Sequence, residues 1–154
     1  MSAIVWLRRD LRLHDNAALM AAVDTGLAIT VLYVHDQDKQ EQWRLCGASA
    51  TWLHKSLAKL DLSLQKLGGK LLIRRGDSAK VLTALCAEVS ASHVFWHRLY
   101  EPDAVTRDTA IKAQLQAQGL VAASFAGHLL NEPWSFKTGA GDAYRVFTPY
   151  WRNA

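Results

Sequence analysis

The sequence contains little cysteine and no apolar run of membrane-spanning length. Its two cysteines, Cys46 and Cys86, lie among apolar neighbours, and their spacing matches neither a zinc site nor a redox motif. A disulfide framework is therefore excluded, no metal site is expected, and a reducing compartment is predicted. The first residues also lack the basic region and long apolar segment of a secretory signal. We therefore expect a soluble, cytoplasmic protein that does not contact a membrane.

The motifs of common nucleotide-binding and hydrolytic enzymes are also absent. RRDLRLHDN follows the first predicted strand, where a dinucleotide-binding fold would carry GxGxxG. Neither glycine-rich turn, GGK at Gly68 or GAG at Gly139, continues as a P-loop does. The six histidines are dispersed and form neither an HExxH pair nor a nucleophile elbow with a serine. These absences predict a ligand-binding domain with no catalytic residues of its own.

Charge and length set weaker limits on function. The 154 residues suffice for one domain with a sizeable core, since half of them are hydrophobic. A net charge of +4 is compatible with a polyanionic partner. Lys and Arg are nevertheless distributed among fourteen acidic residues, so the charge alone does not indicate DNA binding.

Short apolar runs alternate with amphipathic segments along most of the chain. Five runs have the composition of buried parallel strands, at 4–7, 28–34, 70–74, 93–97 and 120–125. Helices are predicted between them: one capped by Asp15 or Asn16, one along Leu53, Leu57, Leu60, Leu64 and Leu67, one near 82–89 and one at 102–118. The alternation predicts an α/β fold, a doubly wound five-stranded parallel sheet, Rossmann-like without GxGxxG, with helices on both faces. The side chains expected to be buried in the sheet are Val5, Trp6, Val31, Leu32, Leu72, Val94 and Phe95.

Polar residues follow the first two predicted strands. Arg8, Arg9 and Asp10 follow the first, and His35 and Asp36 end the second. Because ligands bind beyond the carboxyl ends of the strands in open α/β sheets, a binding crevice is predicted there; the alternative is a solvated loop. We expect Asp10 to be held by a neighbouring arginine and to be structural. The polar connection 36–44 is predicted to be a binding loop or lid.

The alternating pattern ends after residue 125. The last residues contain three closely spaced aromatics, Phe147, Tyr150 and Trp151, with no predicted core of their own. We interpret this segment as the start of a linker to another domain. Exposed aromatics of this kind are expected to make the chain prone to self-association.

Several strings occur together and in order along the chain: WLRRDLRLHDNAAL, GGKLLIRRGD, YEPDAVTRD, GHLLNEP and YRVFTPYWR. This combination resembles the amino-terminal domain of the DNA photolyase and cryptochrome family. The resemblance implies that residues 1–130 form an α/β domain that carries an antenna chromophore. Residues 131–154 would begin the linker to a helical domain that holds FAD and the DNA lesion. The chain alone is therefore expected to be inactive, with no catalytic residue in it.

The resemblance also implies which residues form the antenna pocket. They are Arg8, Arg9, Asp10, Leu11, Tyr33, Asp36, Ala48, Ser49, Trp52, Leu99, Tyr100 and Glu101. Folate-binding members have a glutamate where this chain has Ala104. Deazaflavin-binding members have an arginine and an acid where it has Ser49 and Leu99. The antenna is therefore expected to be a folate, a deazaflavin or a flavin, or to be absent.

Three functions remain open at this level. The resemblance implies first a photolyase, a flavoprotein lyase that uses light and FAD to repair pyrimidine dimers in damaged DNA. The second is a cryptochrome-type blue-light photoreceptor. The third is a stand-alone nucleotide-binding module related only by fold.

Overall fold

Five β-strands alternate with helices in the computed structural model, which describes residues 1–36, 47–132 and 134–154. The strands are β1 Ser2–Leu7, β2 Ala28–His35, β3 Leu71–Arg75, β4 Ala91–His97 and β5 Val121–Phe125. The helices are α1 Ala17–Asp24, α2 Gly47–Gln65, α3 Ser78–Glu88, α4 Pro102–Ala117 and α5 Phe147–Asn153.

The strands form one parallel sheet in the order β3-β2-β1-β4-β5. β1 lies at its centre, where Val5 pairs with Val31 of β2 on one side and with Phe95 of β4 on the other. All six residues of β1 are buried, as expected for a strand that is covered on both faces. The predicted parallel sheet and its buried first strand are confirmed.

Alternate residues of β1 enter two cores on opposite faces of the sheet. Trp6 lies in a core that includes apolar side chains of α3 and α4. Val5 lies in the other core, with side chains of α1 and α2. The helices therefore cover both faces, as a doubly wound sheet requires.

Asn16 starts α1 and ties it to the loop that follows β1. Its side-chain oxygen accepts a hydrogen bond from the Leu19 N–H at 2.9 Å, and its side-chain amide donates to the Arg12 carbonyl at 2.9 Å. Such a cap satisfies one of the free N–H groups of the first turn. Of the two predicted caps, Asn16 is the one used, and Asp15 adopts a positive φ of 48° in the preceding turn.

The leucine stripe of α2 is shorter than predicted. Its buried members are Leu57, Leu60 and Leu64. Leu67 is 75% exposed because the helix ends at Gln65, and Gly68 then turns the chain with a φ of +79°. None of the helices in the described ranges is both long and apolar enough to cross a membrane.

Leu72 departs from the predicted burial because β3 is an edge strand. It is only partly buried, whereas the other six side chains expected in the sheet interior are buried. Its apolar composition does not distinguish an edge strand from a central one. The predicted binding loop at 36–44, apart from Asp36, and Cys46 lie outside the described residues.

The chain after β5 contains a helix that the sequence pattern did not predict, α5. Phe147 and Trp151 lie one turn apart on it, 70% and 61% exposed, with their rings stacked at 6.0 Å. Tyr150 is instead partly buried, and its hydroxyl accepts a hydrogen bond from Asn131 Nδ2 at 2.8 Å. The predicted exposure of three aromatics is therefore wrong for Tyr150.

Substitution of a central and an edge leucine should separate the two kinds of strand. Leu32→Ala in β2 removes a fully buried side chain and should lower the free energy of unfolding by about 2 to 5 kcal/mol. Leu72→Ala in β3 removes a partly buried one and should cost about 1 kcal/mol. Urea denaturation of both variants measures the difference. Equal losses would contradict the assigned strand order.

Candidate functional site

A cavity of about 910 Å³ lies at the carboxyl ends of β1 and β2. The residues after β1 form one wall, the end of β2 forms a second, and the first turns of α2 form a third. Because the sheet is parallel, both strands deliver their following residues to the same edge. This is where open α/β sheets bind ligands.

The structure brings most of the residues implied by the resemblance together around this cavity. Those that line it are Arg8, Arg9, Asp10, Leu11, Tyr33, Asp36, Ala48, Ser49, Trp52 and Leu99. Tyr100 and Glu101 are not among the lining residues. The role of this set in binding a chromophore stays a prediction.

Tyr100 and Glu101 have other partners. The Tyr100 hydroxyl donates a hydrogen bond to Glu132 Oε1 at 2.9 Å, and Arg98 Nε donates to the same oxygen at 3.0 Å. Glu101 forms an ion pair with Arg9 in which both side chains are about half exposed. Tyr100 therefore links the segment after β5 to the loop after β4, and Glu101 contacts Arg9, a residue of the cavity lining.

Arg8 is the buried charge beneath the cavity. Its guanidinium donates to Asp108 Oδ2 of α4 at 2.5 Å and to the His97 carbonyl at the end of β4. It also lies 4.5 Å from the centre of the Trp6 ring, within the range of a cation–π interaction. Burial lowers the pKa of Arg8, and the Asp108 carboxylate opposes this shift. The group remains a fixed positive charge because arginine starts from so high a pKa.

Arg107 continues this network toward the cavity. It donates to Asp108 Oδ1 from Nε at 3.0 Å and from a terminal nitrogen at 2.8 Å. Its other terminal nitrogen lies 3.9 Å from Asp36 Oδ2, and Ser78 Oγ donates to the same Asp36 oxygen at 3.3 Å. Positive and negative groups therefore alternate in the order Asp36, Arg107, Asp108 and Arg8. This network links the carboxyl ends of β2 and β4 to α4.

Asp10 is held by His97 and not by the side chain of an arginine, so that part of the prediction is wrong. Its carboxylate is 2.6 Å from His97 Nδ1 and accepts a hydrogen bond from the Arg8 backbone N–H at 2.8 Å. Burial alone would raise the pKa of Asp10, but the hydrogen bonds from His97 and from Arg8 outweigh it and the pKa is lowered. Asp10 is 8% exposed, which fits the predicted structural role.

Several lining residues are outside the pocket set that the resemblance implied. They are Trp6, Arg12, Val34, His35, Leu53, Ser56, Ser78 and Arg107. Of these, His35 belongs to the predicted crevice, because it ends β2. Leu53 and Ser56 follow Ser49 at helical spacing, so the periodicity of α2 could have identified them. Ser78 lies on α3 and Arg107 on α4, and only the tertiary fold brings them to the cavity.

Among the described residues that line the cavity, more are polar or charged than apolar, and Trp6, Tyr33 and Trp52 contribute aromatic rings. Tyr33 is 7% exposed, and burial raises the pKa of its hydroxyl. Trp52 on α2 is 77% exposed and presents an aromatic face at the mouth. Among the described residues, Trp6 Nε1 and Arg8 Nε are buried without a hydrogen-bond partner. A ligand of this site would therefore meet aromatic surface, whereas these two donors are covered by protein atoms.

Comparison with known proteins identifies the family. The sequence model of DNA photolyase matches residues 3–154. The chain belongs to the DNA photolyase family. A deoxyribodipyrimidine photo-lyase of Agrobacterium fabrum is 44% identical over 149 residues, which are 97% of this chain and 30% of that protein. Cryptochrome-1 of Arabidopsis thaliana is 39% identical over 150 residues, 97% of this chain and 22% of that protein.

Solved structures of photolyases share the fold. A class III photolyase from Agrobacterium tumefaciens matches with a TM-score of 0.89 and 44% identity, over 98% of this chain and 31% of that one. An archaeal photolyase from Sulfolobus tokodaii matches with a TM-score of 0.78 and 26% identity, over 90% of this chain and 32% of that one. The present chain spans a third or less of each of these photolyase and cryptochrome relatives.

Replacing Asp10 should reveal the pairing in this photolyase-family domain. Asp10→Asn should lower the free energy of unfolding by about 1 to 3 kcal/mol at pH 7, because a buried partner of His97 loses its charge. A carboxyl group whose pKa is lowered in the folded state stabilises the folded protein. This stabilisation is fully present above the ordinary pKa of about 3.9 and is lost as the pH falls through the lower pKa of the folded state. The deficit of the variant should therefore shrink below about pH 4.

Asp15→Asn provides the control, since the Asp15 side chain is 93% exposed. The free energy of unfolding of both variants is measured by urea titration, and that of Asp15→Asn should match the wild-type value at pH 7 and below about pH 4. An Asp10→Asn variant as stable as wild type at pH 7 would contradict the structural role of Asp10.

Proposed function

We propose that this chain is the light-harvesting domain of a deoxyribodipyrimidine photolyase and that the cavity holds its antenna chromophore. The observation that supports this most is the cavity itself, whose lining includes ten of the twelve residues that the family resemblance implied. Residues 131–154 would then begin the connection to the part of the protein that holds FAD, and the protein would act in the cytoplasm.

The residues of the cavity fit a planar chromophore. Tyr33 and Trp52 offer aromatic surface to a ligand in the cavity. The side chains of Arg8 and Asp36 are held in one position by their ion pairs. Rigid side chains bind a ligand with little loss of conformational entropy. The domain would thus hold the chromophore in one orientation, which transfer of excitation energy to a second pigment requires.

A flavin is the chromophore class we favour. The folate-type glutamate is replaced by Ala104, and the deazaflavin-type arginine and acid are replaced by Ser49 and Leu99. The Sulfolobus tokodaii photolyase, which shares this fold, is described as containing two FAD molecules, with the implication of a novel light-harvesting cofactor. A flavin in the present cavity would have the same kind of ring as the FAD of that photolyase.

Repair of DNA would be the task of the whole protein. Reduced FAD, when bound and excited, supplies the electron that splits a cyclobutane pyrimidine dimer. In the described part of this chain no glycine-rich phosphate loop follows a strand. We therefore assign the present residues to holding the antenna, and damaged DNA would be bound elsewhere in the protein.

A cryptochrome-type photoreceptor is the second candidate. The 39% identity to Arabidopsis cryptochrome-1 over nearly the whole chain favours it. Both functions use the same kind of antenna domain, so they predict the same properties for this chain. Assay of the whole protein on dimer-containing DNA separates them, because a photoreceptor would leave the dimers intact.

Reconstitution tests the antenna role directly. The purified chain is mixed in turn with methenyltetrahydrofolate, a deazaflavin and riboflavin, and binding is followed by fluorescence anisotropy. We expect one of the three to bind, and Trp52→Ala to weaken its binding roughly tenfold through loss of stacking.

Trp151→Ala on α5 is the matched control, because Trp151 is also an exposed tryptophan but lies outside the cavity lining. It should leave the affinity unchanged. Absence of binding by all three chromophores would contradict the proposed antenna role.

The chain alone should not split pyrimidine dimers. An oligonucleotide with one thymine dimer is illuminated with blue light in the presence of the chain and reduced FAD, and dimer loss is measured by chromatography. We expect no loss above the level without protein, whereas a full-length photolyase should repair the same substrate. Repair by the chain would place the catalytic centre in this domain and overturn the assignment.

Self-association through Phe147 and Trp151 stays a prediction.

A further inference from the structure

The short loop between β4 and α4 contacts both the cavity and the segment that follows β5. Leu99 of this loop is 8% exposed and lines the cavity, and Glu101 forms an ion pair with Arg9, another lining residue. Arg98 and Tyr100 contact the segment after β5 instead. Successive residues of one loop therefore supply a cavity wall and the contacts to a segment outside the cavity.

Glu132 holds this loop without contributing to the cavity lining. Its Oε1 accepts hydrogen bonds from Arg98 Nε at 3.0 Å, from a terminal nitrogen of Arg98 at 2.6 Å and from the Tyr100 hydroxyl at 2.9 Å. The Glu132 side chain is 11% exposed, and its Oε2 is buried without a hydrogen-bond partner among the described residues. The loop after β4 is therefore the anchor of this carboxylate, and hydrogen bonds between charged groups are the strong ones.

Close packing at Gly127 reinforces the contact. A methyl group at this position would lie 2.9 Å from the Arg98 carbonyl oxygen, nearer than a side chain can approach the backbone. The Arg98 guanidinium also lies 5.6 Å from the centre of the Trp134 ring, and the Tyr100 ring meets His128 edge to face at 5.5 Å. The segment after β5 is thus fitted to the loop by packing as well as by charge.

Both ends of the loop are fixed. The Arg98 N–H donates to the Phe125 carbonyl at 2.9 Å, which continues the pairing of β4 with β5, and Pro102 begins α4 directly after the loop. A shift of Leu99 at the cavity wall must therefore be taken up by its chain neighbours, Arg98 and Tyr100. Since closely packed structure transmits such strain, the cavity and the segment after β5 are mechanically connected.

We propose that Glu132 positions the Leu99 wall of the cavity through Arg98 and Tyr100, and that a ligand in the cavity in turn orders residues 126–132. The inference rests on the proposed antenna function, because it requires a ligand in the cavity. Coupling between two sites is reciprocal, so a contact that favours binding is itself favoured once the ligand is bound. The segment after β5 would thereby register whether the domain carries its chromophore.

Glu132→Gln tests the positioning role, because it removes the charge that holds Arg98 and keeps the size of the side chain. Affinity of the full chain for methenyltetrahydrofolate, a deazaflavin and riboflavin is measured by fluorescence titration, with circular dichroism verifying that each variant is folded. We expect the affinity for the chromophore that binds to fall roughly fivefold, as coupling between two sites typically gives. A purely structural role would change stability but not the affinity of the folded chain.

Glu88→Gln is the matched control. Glu88 also pairs with an arginine, Arg74, but both side chains are exposed and neither lines the cavity. Exposed pairs contribute little, so the affinity should equal that of the wild type.

Two further variants disturb the same contact by different chemistry. Gly127→Ala should lower the affinity in the same direction as Glu132→Gln, because the added methyl group pushes the segment away from Arg98. Tyr100→Phe should also lower it, but should add little when combined with Glu132→Gln, since both substitutions remove one hydrogen bond of the same network.

Hydrogen exchange of the full chain tests the reverse direction. Mass spectrometry follows residues 126–132 with and without each of the same three chromophores. We expect the chromophore that binds to slow exchange in this segment roughly fivefold, and Glu132→Gln to abolish the effect. Residues 111–117 of α4 supply nothing to the cavity lining and should exchange at the same rate in both states.

The outcomes separate this inference from the proposed function. A chromophore that binds wild type and Glu132→Gln equally would overturn the inference while the antenna role stands. Exchange in residues 126–132 that is unchanged on binding would overturn it as well. If none of the three chromophores binds, both proposals fall. Weaker binding by Glu132→Gln, together with slower exchange in the occupied wild type, supports the coupling.

Discussion

The candidate site depends on the buried ion pair between the guanidinium of Arg8 and Asp108. The guanidinium joins the end of β1 to the His97 carbonyl at the end of β4 and to Asp108 of α4, and it packs over the Trp6 ring. The side chains of Arg8 and Asp108 are 9% and 11% exposed, so loss of either partner would leave an unpaired charge away from water. Such a loss typically costs several kcal/mol, about 3 to 5 where it has been measured. Asp10 and Arg107 extend this arrangement on either side, through His97 and Asp36 respectively. The cavity is therefore bounded by charges that hold one another in place.

Much of the fold follows from local properties of the sequence, and the site follows only in part. The apolar run before Arg8 is too uniformly hydrophobic for an exposed position, which is why the central place of β1 could be inferred. Leu72 has the same kind of neighbours, yet it lies at the sheet edge, because strand order is decided by how the crossovers pack and not by the composition of each strand. His97 as the partner of Asp10 could not be foreseen, since the two residues are 87 positions apart and only the pairing of β1 with β4 brings them together. Tyr100 was placed at the cavity by resemblance, but Glu132 accepts its hydroxyl hydrogen bond. Glu132 lies in the string GHLLNEP, which supports the resemblance but assigns this residue no role.

The cavity at the strand ends combines the properties that the proposed antenna role requires. Its aromatic surface and fixed ion pairs would suit a planar ring. Trp52 lies on the wall formed by α2, so the first turns of this helix would control the orientation of a bound ligand. These properties are independent of the chemistry that the rest of a photolyase or cryptochrome performs, which explains how one α/β domain can serve a repair enzyme and a photoreceptor alike.

The most direct measurement is a crystal structure of the chain grown with flavin mononucleotide. The ring should lie between Tyr33 and Trp52, with the Arg8 to Asp108 pair in its present position. A flavin bound elsewhere, for example on the exposed aromatic surface of Phe147 and Trp151, would contradict the assignment of the cavity as the antenna site.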